Sequence, residues 1–170
     1  TILDADCNTA NDWAVVSEAN WNPAFGIYTD FFMASYSWNG VPYSPNNYLS
    51  TPLISIPAGA TNINLSYFAG SGNDPAFYSE NYEVWISNSI GSQANITSGL
   101  RLVDSVIPAM GGATYNVAIP NSYAGQNVYI SFRHHDTTDE WLLGIDNVIV
   151  SAEQNVSVQT VNNLATAGQN

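Results

Sequence analysis

Residues 126–150 read QNVYISFRHHDTTDEWLLGIDNVIV. Val128, Ile130, Phe132 and His134 alternate with Tyr129, Ser131, Arg133 and His135, a period of two that belongs to a strand with chemistry on both faces. A polar reversal, His135-Asp136-Thr137-Thr138-Asp139-Glu140, leads into a second β-rich run from Trp141 to Val150. That run carries Asp146 and Asn147 between apolar neighbours. Because an unpaired buried carboxylate is costly, Asp146 binds a cation, accepts several hydrogen bonds, or is less buried than its neighbours suggest.

Upstream, further strand signals occupy 48–56, 62–69, 82–87, 100–106 and 115–119. Turn chemistry separates them: Pro57-Ala58-Gly59, Gly70-Ser71-Gly72-Asn73-Asp74-Pro75, Gly91-Ser92, Gly111-Gly112 and the stretch 121–125. Short β runs punctuated this way predict an all-β, antiparallel two-sheet β-sandwich. From Trp13 to Tyr48 the chain is crowded with aromatics but broken by Pro23, Gly26, Gly40, Pro42 and Pro45, so short strands and loops are expected there. Most of those aromatics belong in a core, with a minority left outside as a binding platform. The sandwich is expected over 1–152. Over 153–170, Val156 and Val158 suit an edge strand, and Asn162 onward reads as linker or tail.

At 170 residues, 45% of them apolar, the chain has material for one domain with a sizeable core. The only basic side chains besides two histidines are Arg101 and Arg133, and the formal net charge is -12. Such a surface repels phosphate backbones and anionic lipid, which argues against nucleic acid as a partner and against membrane docking, and it attracts cations. No run of about 18 apolar residues is present to insert into a membrane. Cys7 is alone, so no disulfide framework exists, and a small buried residue is its plain reading. Opening on Thr1 without a signal sequence, the chain reads as part of a longer exported protein.

Near the start, Asp4, Asp6 and Asn8 set oxygen side chains at alternate positions, a spacing that lets a short loop wrap a hard cation. A solvated Asx-rich turn is the competing reading. Arg133, mid-strand, is expected to pair with Glu80 or Glu83. His134 and His135 are neighbours on a strand and point to opposite faces, so they do not share a metal, and His134 reads as a satisfied interior histidine. Neither a nucleophile elbow nor a zinc-protease helix motif accompanies them. Glu80, Asp139 and Glu140 are the carboxylates a hydrolase or lyase reading would need, but no three acids alternate on one strand face.

Several separated motifs together resemble the cleaved adhesin domains found beside gingipain proteases, also described as choice-of-anchor J domains and similar in architecture to MAM domains. They are Asp4-Ala5-Asp6 followed by Trp13, Ala34-Ser35-Tyr36-Ser37-Trp38, the run Asn46-Asn47-Tyr48-Leu49-Ser50-Thr51-Pro52, residues 79–87, residues 128–134 and residues 141–150. The resemblance implies a jelly roll with Ca2+ held between the N-terminal loop and the last long strand. Carried over by position, it points to Asp4, Asp6 and Asp146 as ligands, with Asn47 from the loop before Tyr48. Cys7 and Asn8 stand where the family tends to have glycines and a third Asp, and Asn147 where a second Asp is frequent. Both departures remove negative charge.

The function implied is a non-catalytic, secreted or cell-surface bacterial module that attaches its parent protein to glycan or to host or matrix protein. Trp21, Trp38, Tyr43, Tyr78 and Trp141 are the candidate contacts, through stacking and hydrogen bonds from loops at one end. The alternative is a structural spacer that packs against a neighbouring domain of the same polypeptide.

Overall fold

The computed structural model describes residues 1–9, 12–17, 31–72 and 74–154. Trp21 and the expected edge strand and tail at the C-terminus lie outside the described residues. Two antiparallel sheets face each other as a jelly-roll β-sandwich. The first sheet runs in the order β1 (Ile2–Asp4), β4 (Asn46–Ser50), β10 (Asn127–His135), β7 (Asn81–Ser87) and β8 (Leu100–Val106), with β5 (Ile54–Ser55) also on β10. The second runs β2 (Ala14–Ser17), β3 (Phe31–Tyr36), β11 (Leu142–Gln154), β6 (Ala60–Gly70) and β9 (Ala113–Ala118). The two strands of the 126–150 stretch thus sit at the centre of opposite sheets.

The period-two pattern decides which side chains meet. Val128, Ile130 and Phe132 of β10, Tyr82, Val84 and Ile86 of β7, and Leu65, Tyr67 and Ile145 of the second sheet form the main core. Tyr67 is its hub: its ring meets Phe132 edge-on at 5.2 Å and stacks on Tyr115 at 5.6 Å, and its hydroxyl is 3.2 Å from that of Tyr82. Burial pushes both phenols up, Tyr82 to about 12. Phe32, Ala34, Phe68 and Leu142 make a second cluster on the outer side of the second sheet, so that sheet is apolar on both faces.

The sequence predicted one strand over 48–56, but the chain leaves the sheet at Thr51-Pro52-Leu53 and resumes as β5. Pro52 has no N–H to give to a ladder. Between β7 and β8 lies a short helix, α1 (Gln93–Thr97), where the sequence suggested only a turn; the Ser92 side chain caps it by accepting from the Asn95 N–H. Cys7 is a correction as well. It is exposed, because it occupies a left-handed turn (φ 61°) whose N–H donates to Asp4 Oδ1 at 2.6 Å.

The expected arginine–carboxylate pair forms with Glu83 and not with Glu80. On the outer face of the first sheet Glu83 accepts from Arg101 Nη1 at 2.7 Å, Arg133 Nη1 at 3.1 Å and Trp85 Nε1 at 2.9 Å. Burial pushes the Glu83 carboxyl up, but those three bonds and the nearby His135 outweigh it and hold it below the usual carboxylate range. Arg133 also lies over the Tyr48 ring, 5.5 Å from its centroid.

Candidate functional site

Three connections that cross from one sheet to the other converge at one end of the sandwich. They are 37–45 between β3 and β4, 71–80 between β6 and β7, and 136–141 between β10 and β11. Together they wall a cleft of about 340 Å³. The first supplies Trp38, the second Asp74 and Phe77, and the third Asp139, Glu140 and Trp141.

A buried polar network ties together the loops that wall this cleft. Glu80 is fully buried; one of its oxygens accepts from Ser37 Oγ and from the Trp141 N–H, both at 2.8 Å, and the other lies 2.9 Å from His134 Nε2. His134 Nδ1 is 2.9 Å from Ser35 Oγ. Glu80, at the end of the second crossing, therefore ties all three together, through Ser37 at the start of the first and Trp141 at the end of the third. The Trp141 carbonyl accepts from the Ser37 and Trp38 N–H groups at 2.9 and 3.0 Å, which fixes the two tryptophans relative to each other. Gly72 is required as well, since a Cβ there would enter the Trp141 ring. The chain Ser35–His134–Glu80 has the residue types of a hydrolytic triad, but all three side chains show 0% exposure and no substrate reaches them. His134 is the satisfied interior histidine the sequence suggested.

The rim is polar and preorganised. Asp139 sits in the left-handed region (φ 59°), which Asp tolerates, and its N–H donates to the Ser37 carbonyl. Glu140 Oε2 accepts from the Ser79 N–H at 3.1 Å, and Asp74 Oδ1 caps the Ala76 N–H at 2.9 Å. Trp38 and Phe77 are 41% and 45% exposed, large apolar surface facing an opening. Of the candidate contacts, Trp38 and Trp141 line this cleft. Tyr78 packs against the main core, and Tyr43 is half-buried with its N–H on the Ser37 carbonyl. Phe77, Asp74, Asp139 and Glu140 were not picked out as contacts; the Gly70–Pro75 turn region and the 135–140 reversal were the signals that loops lay there.

The expected metal ligands divide between two places. Asp4 stands opposite Asn47 in the β1–β4 register, and Asn47 opposite His134, so Asp4 and the buried Asn47 share the inner face at the cleft end. Asp6 follows in the crossing to β2, with Oδ2 accepting from the Asn46 N–H at 2.9 Å and Oδ1 from the Asn8 N–H at 2.8 Å. Asp12 joins them: burial pushes its carboxyl up, its bond from Trp13 opposes this, and the charges of Asp4 and Asp6 push it up further. The sequence reading passed over Asp12, although it is a third acid in the same opening loop. Asp146 lies in the other sheet, opposite Phe68 of the outer cluster, four residues or about 13 Å along β11 from its cleft end. It is half-exposed beside a bulge, with Asn147 (φ 52°) donating its backbone N–H to Oδ1 at 2.7 Å and its side-chain amide to Oδ2 at 3.2 Å.

Among the described residues, one set of three ligating side chains brings its ligand atoms within 4.8 Å of one another: Glu83, Asp104 and His135, on the outer face of the first sheet. Largely buried, this group could hold a metal ion. Two guanidiniums already serve its carboxylates, since Arg101 also reaches Asp104 at 3.0 Å. An ion there would have to displace at least Arg101, whose side chain is 46% exposed.

Known proteins place this architecture. Hemagglutinin A of Porphyromonas gingivalis is 30% identical over 174 residues, covering 90% of this chain and 6% of that protein. Lys-gingipain W83 of the same organism is 26% identical over 165 residues, covering 88% of this chain and 9% of that protein. The chain therefore spans under a tenth of either relative. The crystal structures of the K1 and K2 cleaved adhesin domains of Lys-gingipain share the fold, with TM-scores of 0.71 and 0.68 at 24% and 22% identity. They cover 90% and 89% of this chain, and 90% and 87% of theirs. The model of the Cleaved Adhesin Domain matches residues 1–150, and the chain belongs to that family.

Proposed function

We propose that this domain is a non-catalytic adhesion module of a larger secreted or cell-surface bacterial polypeptide, and that it grips glycan or host or matrix protein in the cleft between Trp38, Phe77 and Trp141. One observation carries the reading: exposed aromatic faces line a concave site whose loops are tied to one another by a buried hydrogen-bond network. Rigid aromatics present a large contact area at little entropic cost, which is what a binding site needs and a solvated loop lacks. The Hemagglutinin A and gingipain relatives support attachment as the role.

Ca2+ belongs to the same reading as a stabiliser. Asp4, Asp6 and Asp12 offer only oxygen, suited to a hard cation, and the Asp12 carboxyl is raised first by burial and then by the charges of Asp4 and Asp6. Neither arginine relieves them, because both bond Glu83. Asp4, Asp6 and Asn47 would bind the ion and fasten the first strand to the sandwich, while Asp146, the further ligand the family implies, stands in the other sheet outside that set. The test has two parts. Wild-type, Trp38→Ala and Trp141→Ala domains are screened on a glycan array and on immobilised matrix proteins, with Ca2+ and with chelator. Binding by wild type that both variants lose supports the site; binding that survives both removes it, and blank screens throughout leave the spacer alternative. Calorimetric titration of the chelated protein with Ca2+ tests the ion separately, with Asp4→Asn and Asp146→Asn showing which carboxylates contribute.

A further inference from the structure

The cleft's chemistry narrows its occupant, given the reading above that the cleft is the contact site. Among the described residues of its lining, and apart from the indole N–H groups, each side-chain polar group belongs to a carboxylate: Asp74, Asp139 and Glu140. Ionised carboxylates only accept hydrogen bonds. A sugar hydroxyl both donates and accepts, and a site shaped for it supplies amide or basic donors for its oxygens. Among the described residues none lines this cleft. The complement of an acceptor-only rim over aromatic faces is a group that only donates, carries positive charge and has a flat face, which describes a guanidinium.

Nothing in the chain itself can fill that role. Its two arginines bond Glu83, there is no lysine, the N-terminal ammonium donates to the Ser50 carbonyl, and the two histidines face Glu80 and Asp136. The formal charge of -12 draws cations toward the surface from solution. We propose that the cleft is a receptor for an arginine side chain displayed on a partner protein. The guanidinium lies against the Trp38 and Trp141 rings and bonds Asp139 and Glu140, with its aliphatic stem against Phe77.

The experiment titrates the full chain with capped Gly-Arg-Gly, Gly-Lys-Gly and Gly-citrulline-Gly peptides, followed by the indole N–H signals in NMR. Citrulline keeps the shape and removes the charge. The expected result is saturable shifts of the Trp38 and Trp141 indoles with the arginine peptide, weaker ones with lysine and none with citrulline. Affinity should fall by roughly tenfold or more between 50 mM and 500 mM salt, as an exposed ion pair is screened. Asp139→Asn, an exposed change that leaves the network untouched, should weaken arginine binding by about tenfold, as loss of one charged partner does. Equal binding of citrulline and arginine overturns the proposal, as does tighter binding of choline than of arginine. If the arginine peptide fails while a glycan shifts the same two indoles, the occupant is wrong and the cleft stands as the contact site. If no ligand moves them and Trp38→Ala leaves attachment intact, both readings fall.

Discussion

Replacing Glu80 by alanine is the sharpest perturbation of this domain. Three donors lose their acceptor: Ser37 Oγ, His134 Nε2 and the Trp141 N–H, of which the last keeps a second bond to Ser37 Oγ at 3.0 Å. Leaving a buried polar group unsatisfied costs about 1–3 kcal/mol, and removing one partner of a buried pair about 3–5 kcal/mol. With two groups left orphaned and one half-served, a loss of about 4 kcal/mol is expected. At a urea m-value of about 2 kcal/mol/M this moves the unfolding midpoint down by about 2 M. Glu80→Gln keeps the shape and one acceptor oxygen, and should cost about half as much. Tryptophan fluorescence against urea gives the midpoint, and Glu140→Gln, on the rim, serves as a control with little effect. A Glu80→Ala midpoint within about 0.3 M of wild type would refute the reasoning, since it would mean the network contributes less than about 1 kcal/mol.

Glu83 sets a pH dependence. Its folded carboxyl lies below its ordinary value, so the stability it contributes is complete above about pH 4.5 and is lost as pH falls through the depressed folded value; melts from pH 3 to 7 should show the fall, and Glu83→Gln should flatten it. Asp12 has the opposite sign: its folded carboxyl is raised, so its ionisation costs stability as pH rises through that value. Asp12→Asn should therefore raise the melting temperature of the cation-free chain at pH 7, while weakening any gain from added Ca2+. Gly72→Ala should cost about 1–3 kcal/mol and abolish cleft binding by displacing the Trp141 ring, measured by urea unfolding and by the peptide titration; unchanged stability would mean the ring is not seated there. Phe132→Ala, at the Tyr67 hub, should cost about 3–5 kcal/mol by the same unfolding assay.

The sandwich was legible because both central strands declare their faces. Val128, Ile130 and Phe132 alternate cleanly, and the Asp-rich reversal after them announces the crossing between sheets. What period two does not encode is which polar residue meets which. Glu80 and Glu83 are three apart and similar in sequence context, yet one lies at a strand entry under a crossing loop and the other at mid-strand on the outer face, so one takes His134 and the other both arginines. Asp146 illustrates the same limit. Its neighbours left it a cation, several hydrogen bonds or partial exposure; a bulge and the left-handed Asn147 behind it turn the strand, so the carboxylate is half-exposed and accepts from the residue it precedes. Trp38 and Trp141 could be picked out as contacts, but Phe77 could not, because its neighbours Tyr78 and Ala76 carry no period to mark which one faces the opening.

The opening acidic loop and the cleft occupy the same end of the sandwich, and this relates the two parts of the proposed function. Asp6 holds the Asn46 N–H, while the Asn46 side chain accepts from Arg133 Nε at 2.8 Å; Ala5 N–H donates to the Asn46 carbonyl at 3.1 Å. The residue that starts β4 is thus gripped by the N-terminal loop on one side and by β10 on the other, and the 37–45 crossing that carries Trp38 ends against it. An ion bound by Asp4, Asp6 and Asp12 would offset their like charges, and would act on Trp38 through the end of its own crossing. Trp141 shares backbone bonds with Ser37 and Trp38 but has two anchors of its own, Glu80 and the close approach of Gly72. Chelation should therefore broaden the Trp38 indole signal before that of Trp141, and Asp6→Asn should do the same in the presence of Ca2+. Equal responses of the two indoles would place the ion's effect on the whole fold and not on this one loop.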